Sequence, residues 1–145
     1  MDNNVNVLDE INKGATMGMD AIMFVYDKVE DQTFKKVLDG EYKKYKDISQ
    51  RVGQEYENFS IKAPHTTNAM NKAMTWYGIQ MKTMTDQSNE KISELLMQGT
   101  NMGIIEGRRL LNHNQNTRVD ESVKNILNDF VAMQEDSVET LKKFL

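Results

Sequence analysis

An all-α protein built as an antiparallel helix bundle is what this sequence predicts, and three observations predict it. Four stretches of similar length, residues 5–30, 33–59, 87–112 and 118–144, carry apolar residues at spacings of three and four. That repeat places them on one face of a helix. Strand-like runs of β-branched residues do not occur. Proline appears once in 145 residues, so almost nothing in the chain interrupts a helix.

The first stripe is Leu8, Ile11, Ala15, Gly18, Ile22, Val25 and Val29. A flanking stripe of Gly14, Met17, Ala21 and Phe24 widens this face and predicts a contact beyond the other bundle helices. Asp31 is placed to cap a second helix that turns Phe34, Leu38, Tyr45, Ile48, Val52, Tyr56 and Phe59 inward. The turn between the two is short, which makes them antiparallel. Pro64 closes the next connection, and Thr66 or Thr67 is expected to cap a new helix. From there the pattern runs on to Asn112, and we divide it by a break near residues 85–88. A shorter helix over 67–84 then carries Met70, Met74, Tyr77, Met81 and Met84 on one face. It covers about 27 Å, returns the chain to its starting end, and makes the second and third bundle helices parallel. Its Met-rich face is expected to lie on the second apolar face of the first helix. One bent helix over 67–112 is the alternative.

The third bundle helix is read with Ile92, Leu95, Gly99, Met102, Ile105 and Leu110 inward, followed by a polar turn from His113 to Asn116. Thr117 with Asp120 resembles a capping box for the last helix. That helix turns Val119, Val123, Ile126, Phe130, Met133, Ser137, Leu141 and Phe144 inward. No linker divides the chain, so a single domain over 1–145 is expected.

Composition removes several function classes. Cysteine is absent, which excludes disulfides, thiolate nucleophiles and thiolate metal sites. A formal charge of −4 argues against nucleic acid as a partner, because such binding neutralises phosphates. No apolar run reaches the length of a membrane span, and residues 1–4 lack the pattern of a signal peptide, so a cytoplasmic protein without membrane contact is expected. No phosphate loop, nucleophile motif or dinucleotide fingerprint occurs.

Paired helices, a long crossover and a second pair are the order of the ferritin-like fold. The segments LDEINKGATMGMDAIMFVYDKV, DGEYKKYKDISQRVGQEY and ISELLMQGTNMGIIEGRRLL carry this texture. Through them the chain resembles the ferritin-like superfamily, and in particular its small bacterial members of unassigned function. The resemblance implies a ferritin-like antiparallel four-helix bundle with an additional helix in the crossover between helices two and three. Iron-binding members place Glu on helices one and three and Glu-x-x-His on helices two and four. Here Glu41 is followed by Lys44, Glu135 by Val138, and the first helix shows Ala15, Gly18 and Ile22. The di-iron ligand set is therefore not carried over, and no cofactor is expected.

Glu41 falls on the inward stripe between Leu38 and Tyr45, where a carboxylate needs a partner or water. It is either part of an altered ligand site or bonded to Tyr45 or a lysine. A carboxylate-only metal site would draw on Glu41, Glu94, Glu106 or Glu135, since oxygen ligands alone hold hard cations. Arg51 and Glu55, with Glu106 and Arg109, are expected at one level of the bundle as an ion-pair network that sets register. Gly14, Gly18, Gly99, Gly103 and Gly107 each weaken a helix, so they need a reason. Close packing of two helix backbones is one reason, and space for a ligand is the other. Of the eleven methionines, Met17, Met19 and Met23 group on the first helix and Met70, Met74, Met81 and Met84 on the crossover. Thioethers bind Cu(I), but methionine also fills irregular cores and adaptable binding faces, and the latter reading is preferred. His65 and His113 are read as surface residues.

The expectation for function is a non-enzymatic binding or self-associating protein without a conventional di-iron centre. A homodimer through helix one and the crossover helix is its expected assembly. An atypical carboxylate metalloprotein or oxidoreductase is the alternative.

Overall fold

Hydrophobic periodicity resolves into five helices: α1 (Asn3–Tyr26), α2 (Gln32–Tyr56), α3 (Ala69–Thr83), α4 (Asn89–His113) and α5 (Glu121–Lys142). They are seen in a computed structural model that describes residues 3–60, 62, 64–113 and 118–145, and those residues contain no strand. The most extensive pairings are α1 with α2 and α4 with α5; α1 also meets α4, and α2 meets α5. The four therefore form a ring in which α2 and α4 stand on one diagonal, while α1 and α5 approach across the other.

Hydrogen bonds at the ends give the directions. Tyr56 at the end of α2 meets Asp9 near the start of α1, at 3.4 Å. Asn89 at the start of α4 donates to Asp31 at the start of α2, at 3.0 Å, so α2 and α4 run the same way. The Asp120 N–H before α5 donates to Asn4 in α1, at 2.8 Å, which makes these two parallel. The chain thus runs up, down, up, down and up, with α3 parallel to α1 through the Lys72–Asp20 and Lys28–Gln80 contacts. No described helix is long and apolar enough to cross a membrane.

The stripes of α1, α2 and α5 form the core: Leu8, Ile11, Val25, Phe34, Leu38, Val52 and Val123 are fully enclosed. Phe34 and Phe144 close one end as a stacked ring pair, with centroids 4.3 Å apart. Asp31 caps α2 as expected, accepting from the Thr33 and Phe34 N–H groups. The break between α3 and α4 falls at residues 84–88, so residues 67–112 are two helices.

Several expectations are overturned. Asn68, not Thr66 or Thr67, caps α3, its side chain accepting from the Asn71 N–H at 2.8 Å. Asp120 precedes α5 without a side-chain cap bond, and Thr117 lies outside the described residues, as does most of the turn up to Asn116. His113 is the last residue of α4, on its surface. The methionine face of α3 does not lie on α1. Instead α3 meets α1 through the Lys72–Asp20 and Lys28–Gln80 contacts and buries Ile79 and Thr83, which leaves Met70, Met81 and Met84 turned outward and Met74 at the mouth of a cleft.

The largest correction concerns α4. Its buried positions are Ile92, Ser93, Leu96, Thr100 and Gly107, whereas Met102 is 68% and Ile105 51% exposed. The helix is rotated by about one residue step from the expected facing. Large side chains from α2 and α5 explain this, because they fill the centre and only small residues on α4 leave them room. Gly103 faces the Gln134 amide, and a Cβ on Gly107 would lie 2.5 Å from Val131.

Candidate functional site

Rotation of α4 and the outlying position of α3 leave a cleft between α1, α3 and α4 of about 1280 Å³. One wall is α1 from Glu10 to Ile22, where Gly14, Met17, Gly18 and Ala21 face the opening. The opposite wall is α4 from Leu95 to Leu110, with Gly99, Met102 and Gly103. Met74, Gly78 and Ile79 of α3 form the outer edge. At 1.5 Å per residue both walls run for about 20 Å, so the cleft is elongated. Its depth reflects missing side chains, since a Cβ on Gly99 would meet nothing within 4 Å.

The inner end is polar. Glu41, only 4% exposed, accepts from Lys44 Nζ at 3.2 Å and from the Ser137 hydroxyl. Partial burial of Lys44 works to lower its pKa, but the Glu41 and Asp136 carboxylates outweigh it, and the ammonium titrates above its ordinary value. One turn on, Tyr45 lies under Gly18, whose Cβ would fall 2.6 Å from the phenol ring. The ring meets Phe130 edge-on at 6.4 Å. Burial pushes the Tyr45 phenol up, while hydrogen bonding with Thr100 and Gln134 pulls the other way. Gln134 is 2% exposed, and its Oε1 has no hydrogen-bond partner. A buried orphan acceptor costs about 1–3 kcal/mol.

A polar clamp fixes the segment ahead of α3. Asp9 Oδ1 accepts from the His65 N–H at 2.9 Å, and Asn12 Nδ2 donates to the His65 carbonyl at 2.9 Å. Ser49 donates to Asn12 at 2.6 Å, and the Thr16 and Thr67 hydroxyls meet at 2.9 Å. Asp9 and Asn12 are both buried, and neither stands out in the sequence stripes. A signal for them exists all the same: each stands beside an apolar stripe residue, Leu8 or Ile11, where a polar side chain faces inward. His65 keeps an exposed ring, 3.7 Å from Asp9.

The carboxylates of the candidate metal site are dispersed. Glu41 alone reaches the bundle interior, while Glu94, Glu106 and Glu135 are exposed and paired with Lys91, Arg109 and Arg108. Among the described residues no group of three metal-ligating side chains occurs. The four-member ion-pair network does not form either. Arg51 pairs with Asp129 at 2.9 Å, Glu55 accepts from Ser122 at 2.6 Å, and Glu106 pairs with Arg109 at 2.6 Å. The reason is the diagonal placement of α2 and α4, which puts α5 rather than α4 beside Arg51 and Glu55.

The glycines serve a different purpose from close helix backbones. Gly14 and Gly18 receive Phe130 and Tyr45, Gly103 and Gly107 receive Gln134 and Val131, and Gly99 opens into the cleft. No family model matches this chain, and no curated protein or solved structure matches it.

Proposed function

We propose that this protein is a non-enzymatic bundle of the ferritin-like type, with its extra helix in the crossover, that binds an apolar ligand in the α1–α3–α4 cleft. The observation that carries this is the facing of α4. It buries Ser93, Thr100 and Gly107 while Leu95 and Met102 line an open cleft. An apolar stripe turned away from the core is stabilised when something covers it. Methionine suits such a surface because its flexible thioether adapts to a ligand's shape.

An environment-sensitive apolar dye tests the reading, with Gly99→Trp as the blocked form. Gly99 has open space at its Cβ, so a large side chain fills the cleft without displacing the core. One dye per chain on the native protein, lost in Gly99→Trp with the helix content unchanged, is the expected result. No dye bound to the native protein, or equal binding to Gly99→Trp, contradicts the reading.

A second observation favours self-association. Met70, Trp76, Tyr77 and Met81 on α3, and Met84 just after it, are all exposed, more apolar surface than one short helix ordinarily leaves to water. A second copy of the chain covers this outer face in a homodimer. Sedimentation equilibrium should show a dimer that Met81→Glu with Met84→Glu dissociates. A native protein that stays monomeric at high concentration contradicts it.

A further inference from the structure

Exposure divides the described methionines. Met19, Met97 and Met133 are partly buried and pack against the core. Met70 and Met81 on the outer face of α3, and Met84 just after it, are exposed. A third set lines the cleft, one from each wall: Met17 on α1 at 38% exposure, Met74 on α3 at 66% and Met102 on α4 at 68%. Met23 of α1 is exposed outside the cleft. Cysteine is absent, so no thiolate competes with these thioethers for an oxidant. Water-borne oxidants reach the cleft set, whereas the core shields Met19, Met97 and Met133. An apolar wall does not in itself require sulfur, since leucine covers the same surface with a better-defined shape.

Resting on the cleft reading, we infer that Met17, Met74 and Met102 form an oxidation site through which hydrogen peroxide closes the cleft to apolar ligands. The sulfur lone pair attacks one peroxide oxygen, and the S–O bond forms as the O–O bond breaks. The departing hydroxide takes the remaining proton and leaves as water, so the thioether is oxidised to the sulfoxide and the peroxide is reduced. Each sulfoxide puts on the wall a polar oxygen that accepts hydrogen bonds from water. An apolar ligand strips that water without replacing it, and the cost opposes binding. Because the three residues sit on three helices, every wall of the cleft gains such an oxygen. The core methionines are spared, so the bundle persists. Methionine sulfoxide reductases return the thioethers, which makes the closure reversible.

The test compares binding of the apolar dye before and after hydrogen peroxide, with peptide mass spectrometry to locate the added oxygen. The expected result is oxidation of Met17, Met74 and Met102 ahead of Met19, Met97 and Met133, with helix content unchanged. Dye affinity should fall at least about tenfold, and treatment with the reductases for both sulfoxide epimers should restore it. In a variant carrying Met17→Leu, Met74→Leu and Met102→Leu, peroxide should leave the dye affinity wherever that variant starts. In a variant carrying Met70→Leu, Met81→Leu and Met84→Leu, the full peroxide effect should remain. Unchanged affinity in the oxidised native protein overturns the inference and leaves the cleft reading standing. A loss that the cleft leucines do not prevent, or that the reductases do not reverse, overturns it as well. Failure of the dye to bind before peroxide is added is the separate outcome that defeats the cleft reading, and the oxidation switch with it.

Discussion

At the residue scale, glycines make room for large side chains rather than for a neighbouring helix backbone. A Cβ on Gly18 lies 2.6 Å from the Tyr45 ring, which Phe130 holds from the side. A ring held on two sides cannot move away cheaply. Gly18→Ala should therefore destabilise by about 1–3 kcal/mol despite alanine's better helix propensity. Gly99→Ala, with nothing to meet, should stabilise by about 0.5–1 kcal/mol. Urea denaturation of the two variants checks both signs in one experiment. Tyr45 also gives a pH dependence. Its phenol is raised in the fold, chiefly by burial, above the 10.0 of a free tyrosine. The native state thus holds a proton that the unfolded chain releases first. Stability from this source is complete below pH 10.0 and is lost as pH rises through the folded value. Urea midpoints followed from neutral to strongly alkaline pH should fall less steeply for Tyr45→Phe than for the native protein. Tyr56, also raised by burial and by its bond to Asp9, accounts for part of the remaining fall.

At the scale of elements, the helices were legible because periodicity is local, and the break before α4 was legible because residues 85–88 interrupt that periodicity. The facing of α4 was not legible. Its sequence offers two stripes one residue apart: Leu95, Gly99, Met102 and Ile105 on one, and Ile92, Leu96, Thr100, Gly103 and Gly107 on the other. Hydrophobicity favours the first, but the core selects the second, because Gln134 and Val131 from α5 sit against Gly103 and Gly107. A stripe's inward direction therefore depends on the volume of its partners, which no single helix records. The site inherits the same limit: Glu41 and the glycines could be singled out from sequence, but Gln134 and the cleft could not. The connection before α3 makes its own prediction. Asp9 accepts from the His65 N–H at 2.9 Å and from Tyr56 at 3.4 Å in a buried setting. Asp9→Ala leaves those donors unpaired and should cost about 1–3 kcal/mol by urea denaturation. Amide exchange in α3 should accelerate more than in α5, because the clamp anchors the start of α3.

At the scale of the molecule, four helices close a ring around one core, and the fifth stands off to one side. The ion pairs contribute little to that arrangement: Lys13–Glu10, Arg108–Glu135 and Lys142–Glu139 are exposed, and such pairs are worth at most about 1 kcal/mol each. Apolar burial and the fit of large side chains over glycine hold the ring together. The same fit leaves the α1–α3–α4 cleft open, and on our proposal that cleft is a ligand site. The methionines are natural reporters of it, since Met17, Met74 and Met102 line the cleft while Met70, Met81 and Met84 lie outside it. Methyl spectra of the eleven methionines, recorded as the apolar dye is added, report the place of binding. Binding in the cleft predicts saturable shifts at Met17, Met74 and Met102, with the outer three unmoved. Shifts confined to Met70, Met81 and Met84, or no shift at any methionine, would contradict it.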